Sequence, residues 1–212
     1  LPALPTAAAL PSSPSADDES GIAATYYKAL LLNTPFVEST YDSSIGSYRF
    51  ADSHPLSVLG NAVLLTYGTY DAQLAGVSRE TLLDHTLSTI RFAAAHNKNV
   101  DPDASPSWGK RIYFDTTGES YFVAAAKMLW DELDDTTRQN IDTIIRGSAN
   151  YVADLGTADD PLSPGWTTNG LNGGFATDSK IEEMGARTMP LATALAWLPD
   201  DPRAASWREW LT

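Results

Sequence analysis

Apolar residues recur at helical spacing in seven stretches of this chain, and the lengths of the segments between them decide how the helices group. The first stretch runs from Asp17 to Asn33, where Ile22, Tyr26, Ala29, Leu30 and Asn33 share the spacing. Asp17, Asp18 and Glu19 suit its positive N-terminal end, and Pro35 is expected to stop it. Phe36 to Ser53 keeps no period and is rich in Ser, Tyr and Asp, so an ordered loop is expected there, laying Tyr41, Tyr48 and Phe50 on the body of the protein. Pro55 to Tyr70 reads as a helix through Leu56, Leu59, Val63 and Tyr67. A short turn through Gly76 follows, and Ser78 to His96 is a second helix opened by Ser78-Arg79-Glu80-Thr81, an imperfect capping box. After a loop from Asn97 to Thr117, Gly118 to Leu133 is helical, Asp134-Asp135-Thr136 turns the chain, and helix resumes through Ile141, Ile144, Ile145 and Tyr151. Beyond a second long loop, Ser179 to Leu198 is helical, Pro199 to Pro202 turns, and a last helix starts at Arg203 and is expected to run on past Thr212.

Three helical hairpins thus begin near residues 55, 118 and 179. A repeat of helix, short turn, helix, long loop points to stacked helical pairs. The expected fold class is all-α, an incomplete (α/α) toroid of about three hairpins. Three pairs are too few to close such a ring, so its remainder is expected in a missing C-terminal part of the same protein. Long loops recur only after the second helix of a pair, which gathers them on one face as the walls of a cleft. Residues 1–16, LPALPTAAALPSSPSA, are Pro/Ala/Ser-rich and outside any core pattern, so the helical domain is expected over 17–212.

Fourteen Lys and Arg against 27 Asp and Glu leave a net charge of -13, which argues against nucleic acid or an anionic membrane as a partner. With no cysteine there is no disulfide and no thiolate ligand or nucleophile. No stretch is apolar over the length of a membrane span. The leading Pro/Ala/Ser segment resembles what remains after a signal peptide is removed, so a secreted or extracytoplasmic location is expected.

The stretch richest in candidate chemistry is Gly165 to Trp197. Its first half offers Trp166, Asn169, Asn172 and Asp178 among glycines. Its second half is the helix opened by Ser179-Lys180-Ile181-Glu182, a capping box that gives Glu182 a structural role as an alternative to a functional one. Glu183 lies beside the apolar stripe, where a solvated carboxylate is the plainer expectation.

The run Asp178-Ser179-Lys180-Ile181-Glu182-Glu183, the Ala/Leu-rich helix after it, and Pro199-Asp200-Asp201-Pro202-Arg203-Ala204 through Trp207 resemble a pattern of secreted bacterial α/α-toroid proteins of the heparinase II/III-like polysaccharide lyase type. The resemblance covers roughly forty residues. It departs where family members carry Asn and an aromatic after the paired glutamates and this chain has Met184, Gly185 and Ala186. The resemblance implies β-elimination on a uronic-acid-containing polysaccharide.

A lyase must neutralise the uronate carboxylate, take the C5 proton and protonate the leaving oxygen. Asn169 and Asn172 are candidate neutralisers, Tyr113 a candidate acid and His96 a candidate base, with Glu183 a further candidate. His96 has a plainer alternative as the cap of its helix. The loop after the first hairpin concentrates cations and aromatics, with Trp108, Lys110 and Arg111 as candidate sugar contacts beside Lys98, Tyr113 and Phe114. The alternative is that the aromatics anchor the loop to the core and the cations are solvated. Trp166, Asp178, Lys180 and Arg187 complete the candidate substrate contacts, although Lys180 and Arg187 have neighbouring glutamates to pair with. His54 and His85 read as structural.

Two other functions stay open. A glycoside hydrolase of the same architecture needs two facing carboxyls, for which Asp115, Glu119, Asp178, Glu182 and Glu183 are candidates. A non-catalytic sugar-binding scaffold needs only aromatics in the cleft. No nucleotide fingerprint or transition-metal cluster is legible, and no cofactor is expected, with a structural calcium ion in an Asp-rich loop left open.

Overall fold

The computed structural model describes residues 21–49, 56–109, 114–155 and 181–211. These residues form eight α-helices and one two-stranded antiparallel hairpin, so the chain is all-α in character.

Helix α1 (Ile22–Glu38) runs through Pro35, which was expected to stop it. Proline has no N–H to give the carbonyl four residues back, a fault that costs about 3 kcal/mol inside a helix. The last turn survives because other groups hold it. The Ser39 N–H reaches the Pro35 carbonyl at 3.1 Å, and Glu38 is gripped by Tyr48 and His85 from elsewhere in the chain. The expected loop then proves to be a tight hairpin of β1 (Tyr41–Asp42) and β2 (Ser47–Tyr48). Asp42 accepts from the Ser44 backbone and hydroxyl, and Gly46 adopts φ +66°. Strands of two residues lie below the length at which alternation can be read. As expected, Tyr41 and Tyr48 are laid on the body of the protein, while Phe50 lies outside the described residues.

Helix α2 (Leu56–Thr66) and helix α4 (Arg79–Ala95) form the first pair, joined through the short α3 (Ala72–Ala75). Asp71 caps α3 with two accepted N–H bonds, and Gly76 closes it at φ +69°, the left-handed region that favours glycine. The Ser78 hydroxyl accepts the Thr81 N–H at 3.1 Å, which is the half of a capping box that Thr81 permits.

The second pair is α5 (Phe114–Met128) and α6 (Asp135–Leu155), separated by a 3-10 turn over Trp130–Glu132. Helix α5 starts four residues before the expected Gly118. Asp134 caps α6 by accepting the Thr137 N–H at 2.9 Å. The third pair is α7 (Ile181–Trp197), with Pro190 inside it, and α8 (Ala204–Glu209). Contrary to expectation α8 does not run on past Thr212. It ends after six residues, with Trp210 as its C-cap.

The packing order ties these pairs together. Helices α2, α5 and α7 touch in succession, and α4, α6 and α8 touch in succession as a second file, while α1 lies against α2 and α3. One continuous core runs between the files, with Ile90, Phe122, Ile141, Ile144, Leu191 and Trp207 almost wholly buried. Each such side chain stabilises the fold by about 1.5–3 kcal/mol relative to exposure. Polar links close the seams. Lys127 meets Asp142 at 3.2 Å between α5 and α6, and the Trp207 indole N–H donates to Asn150 Oδ1 at 2.8 Å between α8 and α6.

Candidate functional site

Loop 97–109 leaves α4 at its C-terminal end, and its neck is fastened from three sides. The Lys98 N–H donates to the Trp108 carbonyl at 2.9 Å and the Trp108 N–H to the His96 carbonyl at 3.3 Å, so the two ends of the loop are bridged. Asn97 Oδ1 accepts the Asn99 N–H at 2.8 Å, a local turn that short polar side chains favour. Trp108 is 5% exposed, its indole N–H donates to the Ala93 carbonyl at 2.7 Å, and its ring meets Phe122 edge-on. Its expected use as a platform for a sugar ring is therefore corrected, because a platform needs an open face and this ring is core.

Beneath the neck sits Glu119, in the second turn of α5 and 2% exposed. Oε1 accepts from Asn97 Nδ2 at 2.9 Å and Asn99 Nδ2 at 3.1 Å, and Oε2 accepts from the Ser148 hydroxyl on α6. Donors from the loop and from α6 thus converge on one buried side chain of α5, which ties loop, α5 and α6 into one unit. Two glycines make room for it. A Cβ on Gly109 would lie 2.4 Å from Glu119 Oε1 and 2.3 Å from Asn97 Nδ2, and one on Gly147 would lie 2.5 Å from Asn99 Oδ1. A small, mostly apolar crevice lies beside the carboxylate between α5, α6 and α7, reaching Pro190 and Thr193.

Half-buried His96 caps α4 at the same neck. Its Nδ1 lies 2.8 Å from the Phe92 carbonyl oxygen, and the ring stacks on Phe92 with centroids 3.9 Å apart. A carbonyl oxygen only accepts, so Nδ1 carries the proton and, in the neutral ring, Nε2 holds the lone pair. The cap geometry and the base-competent tautomer are here the same arrangement.

A second polar cluster joins α1, the hairpin, α2 and α4. Glu38 Oε1 accepts from the Tyr48 hydroxyl, Glu38 Oε2 lies 2.8 Å from His85 Nδ1, and the His85 ring stacks on Tyr41 with centroids 3.6 Å apart. The buried Asn61 amide donates to both the Tyr48 hydroxyl and Thr86 Oγ1 at 3.1 Å. Burial raises the Tyr48 pKa strongly, and the hydrogen bond to Glu38 and its charge add to the shift. This cluster fastens the hairpin to the helices, in keeping with a structural role for His85.

Of the other expected site residues, Lys110, Arg111, Tyr113, Trp166, Asn169, Asn172, Asp178 and Lys180 lie outside the described residues, as does His54. Glu183 and Arg187 are in the first two turns of α7, and the description there is of the backbone. Sequence reasoning passed over Asn97, Asn99 and Ser148, and treated Glu119 only as a possible hydrolytic carboxyl. Among the described residues no group of three or more His, Asp or Glu gathers as a metal site. Among them, too, no helix is long and apolar enough to cross a membrane.

No protein-family model matches the chain, and neither a curated protein nor a solved structure does so.

Proposed function

We propose that this chain is the arc of an incomplete (α/α) toroid from a secreted polysaccharide lyase, which cleaves a uronic-acid-containing glycan by β-elimination. The observation that carries the proposal is the two-file packing of the helices. Ser148 near the end of α6 meets Asn99 and Glu119 at the start of α5, so the connections after α4 and α6 both leave from one end of the stack. The Asp178 to Glu183 motif enters α7 at the end where the second of those connections arrives.

In β-elimination the base takes the proton from C5, the electron pair forms the C4–C5 double bond, and the C4–O bond breaks with protonation of the leaving oxygen. His96 Nε2 is the base in this scheme, held in the required tautomer by the Phe92 carbonyl. Tyr113 protonates the leaving oxygen, and Asn169 and Asn172 neutralise the carboxylate. Lys110, Arg111, Trp166, Asp178, Lys180 and Arg187 are the remaining substrate contacts, and Glu183 the remaining candidate at the reacting centre. Glu119 is a positioning residue, because its carboxylate is buried and accepts donors on both oxygens. The same fact takes Glu119 out of the glycoside hydrolase alternative, which then rests on Asp115, Asp178, Glu182 and Glu183. No cofactor enters this chemistry.

The test incubates the protein with uronate and neutral polysaccharides and follows both ultraviolet absorbance and new reducing ends. Absorbance of an unsaturated uronate that falls about 10²–10⁴-fold in a folded His96→Ala variant supports the proposal. Reducing ends without that absorbance mean hydrolysis. Binding with neither signal means a non-catalytic sugar-binding scaffold.

A further inference from the structure

The loop neck that positions His96 also carries Lys98, whose side chain has no partner in the fold. Its backbone N–H donates to the Trp108 carbonyl, but its ammonium makes no hydrogen bond or ion pair among the described residues. An ammonium that gives up part of its water ordinarily gains a carboxylate in return. The other half-buried cations of the described residues follow that rule, Lys127 with Asp142, Arg138 with Asp135 and Arg203 with Asp154. Even the more exposed Arg49, Arg91 and Arg146 reach carboxylates at 2.9, 3.2 and 2.6 Å. Lys28 and Arg208 lack a carboxylate partner, but both are exposed. Lys98 is therefore the exception, and not for want of acid nearby. Asp101 and Asp103 follow in the same loop, yet Asp101 Oδ1 is turned to the Asp103 N–H at 3.0 Å, and the Glu119 carboxylate is turned to Asn97, Asn99 and Ser148.

The backbone sets Lys98 beside His96. The bridge between Asn97 and Trp108 directs the wholly buried Asn97 side chain down to Glu119. Alternation along the bridged segment then leaves His96 and Lys98 on its outer side, where both are half exposed. Two residues span no more than about 7 Å of chain, so the imidazole and the ammonium rise from neighbouring points. In the elimination proposed above, C5 bears both the proton and the carboxyl group, and the groups that serve them must be close neighbours. Asn169 and Asn172 bring neutral amides to that carboxyl group. A full positive charge stabilises it more, above all as the electron pair of the C5–H bond spreads onto its oxygens.

We propose that Lys98 binds the uronate carboxylate beside His96 and makes the site select the ionised acid over its ester. The assignment rests on the lyase reading and adds to it the determinant of substrate charge. Lys98 exchanges no proton in the reaction. It forms an ion pair with the substrate that tightens as negative charge builds up.

The experiment follows the ultraviolet absorbance of unsaturated uronate released by the full chain from polygalacturonate, alginate, hyaluronan, chondroitin sulfate and heparan sulfate, each as the free acid and as its methyl ester. Lys98→Met should lower kcat/KM on the cleaved acid by about 10–100-fold, the worth of one hydrogen-bonded charge pair. On the ester, which has no charge to meet, the change should stay below about threefold. Lys98→Arg keeps the charge and should retain most of the rate on the acid. Helical circular dichroism should be unchanged in both variants, because substitution leaves the backbone bond to Trp108 in place. Lys98→Gln replaces Lys98→Met should the latter lose helix. Where the wild type cleaves the acid alone, the loss in Lys98→Met and its recovery in Lys98→Arg carry the test. An unchanged ratio of acid to ester in Lys98→Met overturns the proposal and leaves the lyase reading standing, as does a wild type that cleaves only the ester. A wild type that releases no unsaturated uronate from either form refutes the lyase reading, and the role of Lys98 falls with it.

Discussion

Gly109→Ala is the sharpest probe of the loop neck. The glycine sits at φ +89°, where a residue with a Cβ carries a strain of about 1–2 kcal/mol. The new methyl would also lie 2.3 Å from Asn97 Nδ2 and 2.4 Å from Glu119 Oε1, well inside contact distance, and both atoms belong to one hydrogen bond. Neither can retreat cheaply, because Asn97 and Glu119 are fully buried. Breaking that buried bond and leaving its partners unsatisfied costs about 1–3 kcal/mol more. The sum is about 2–5 kcal/mol, which for a chain of this length lowers the melting temperature by about 4–20 °C. Gly76→Ala is the control. At φ +69° it carries a similar backbone strain, but its Cβ would meet only the Pro35 ring, Cγ at 3.3 Å and Cβ at 3.8 Å, so a loss of about 1–2 kcal/mol is expected. Urea unfolding of the two variants isolates the clash as their difference. If Gly109→Ala loses no more than Gly76→Ala, the carboxylate and the loop do not pack as described.

Three further perturbations test the second cluster and the surface. Tyr48 has its pKa raised by burial, then by the hydrogen bond to Glu38 and its charge, so the folded value exceeds the unfolded one. Its contribution is therefore complete below about pH 10 and is lost as pH rises beyond that; Tyr48→Phe should flatten the alkaline fall of the urea midpoint, and an unchanged slope refutes the assignment. Glu38→Ala takes the acceptor from the Tyr48 hydroxyl and the carboxylate partner from the His85 ring together, so calorimetry should record a loss of about 2–4 kcal/mol, and a loss under about 1 kcal/mol would deny the cluster its role. Arg203→Ala removes the ion pair with Asp154, which lies at the surface with the Asp154 side chain 61% and the Arg203 side chain 37% exposed, so a loss of no more than about 1 kcal/mol is expected in the same experiment.

The helices were legible because apolar spacing is a local property and most of them obey it. Their ends were less so, and each miss has a physical cause. Pro35 removes one hydrogen bond, which the chain tolerates because Tyr48 and His85 hold Glu38 from 10 and 47 residues away. The hairpin of Tyr41–Asp42 and Ser47–Tyr48 is fixed by contacts with α4, including Ser88 Oγ to the Gly46 carbonyl at 2.6 Å, and not by any alternation of its own. The end of α8 carries no glycine or proline to announce it.

The neck of the loop was half legible, and the missing half is of one kind. Glu119 falls on the stripe shared by the buried Phe122, Val123 and Ala126, and an acid on a core-facing stripe must find donors or stay in water. Its position in the pattern therefore marks it as a structural hub without any reference to a family. What the pattern withholds is the identity of the donors, since Asn97, Asn99 and Ser148 lie 22, 20 and 29 residues away and each sits in a segment with a plausible local use for it. The same logic explains why Trp108 misled. A tryptophan beside Lys110 and Arg111 has the composition of a sugar platform, but its indole N–H needed a partner in the core and found the Ala93 carbonyl. Composition names the groups available to a loop, and only the partners their buried polar atoms require decide which of them remain free to meet a ligand.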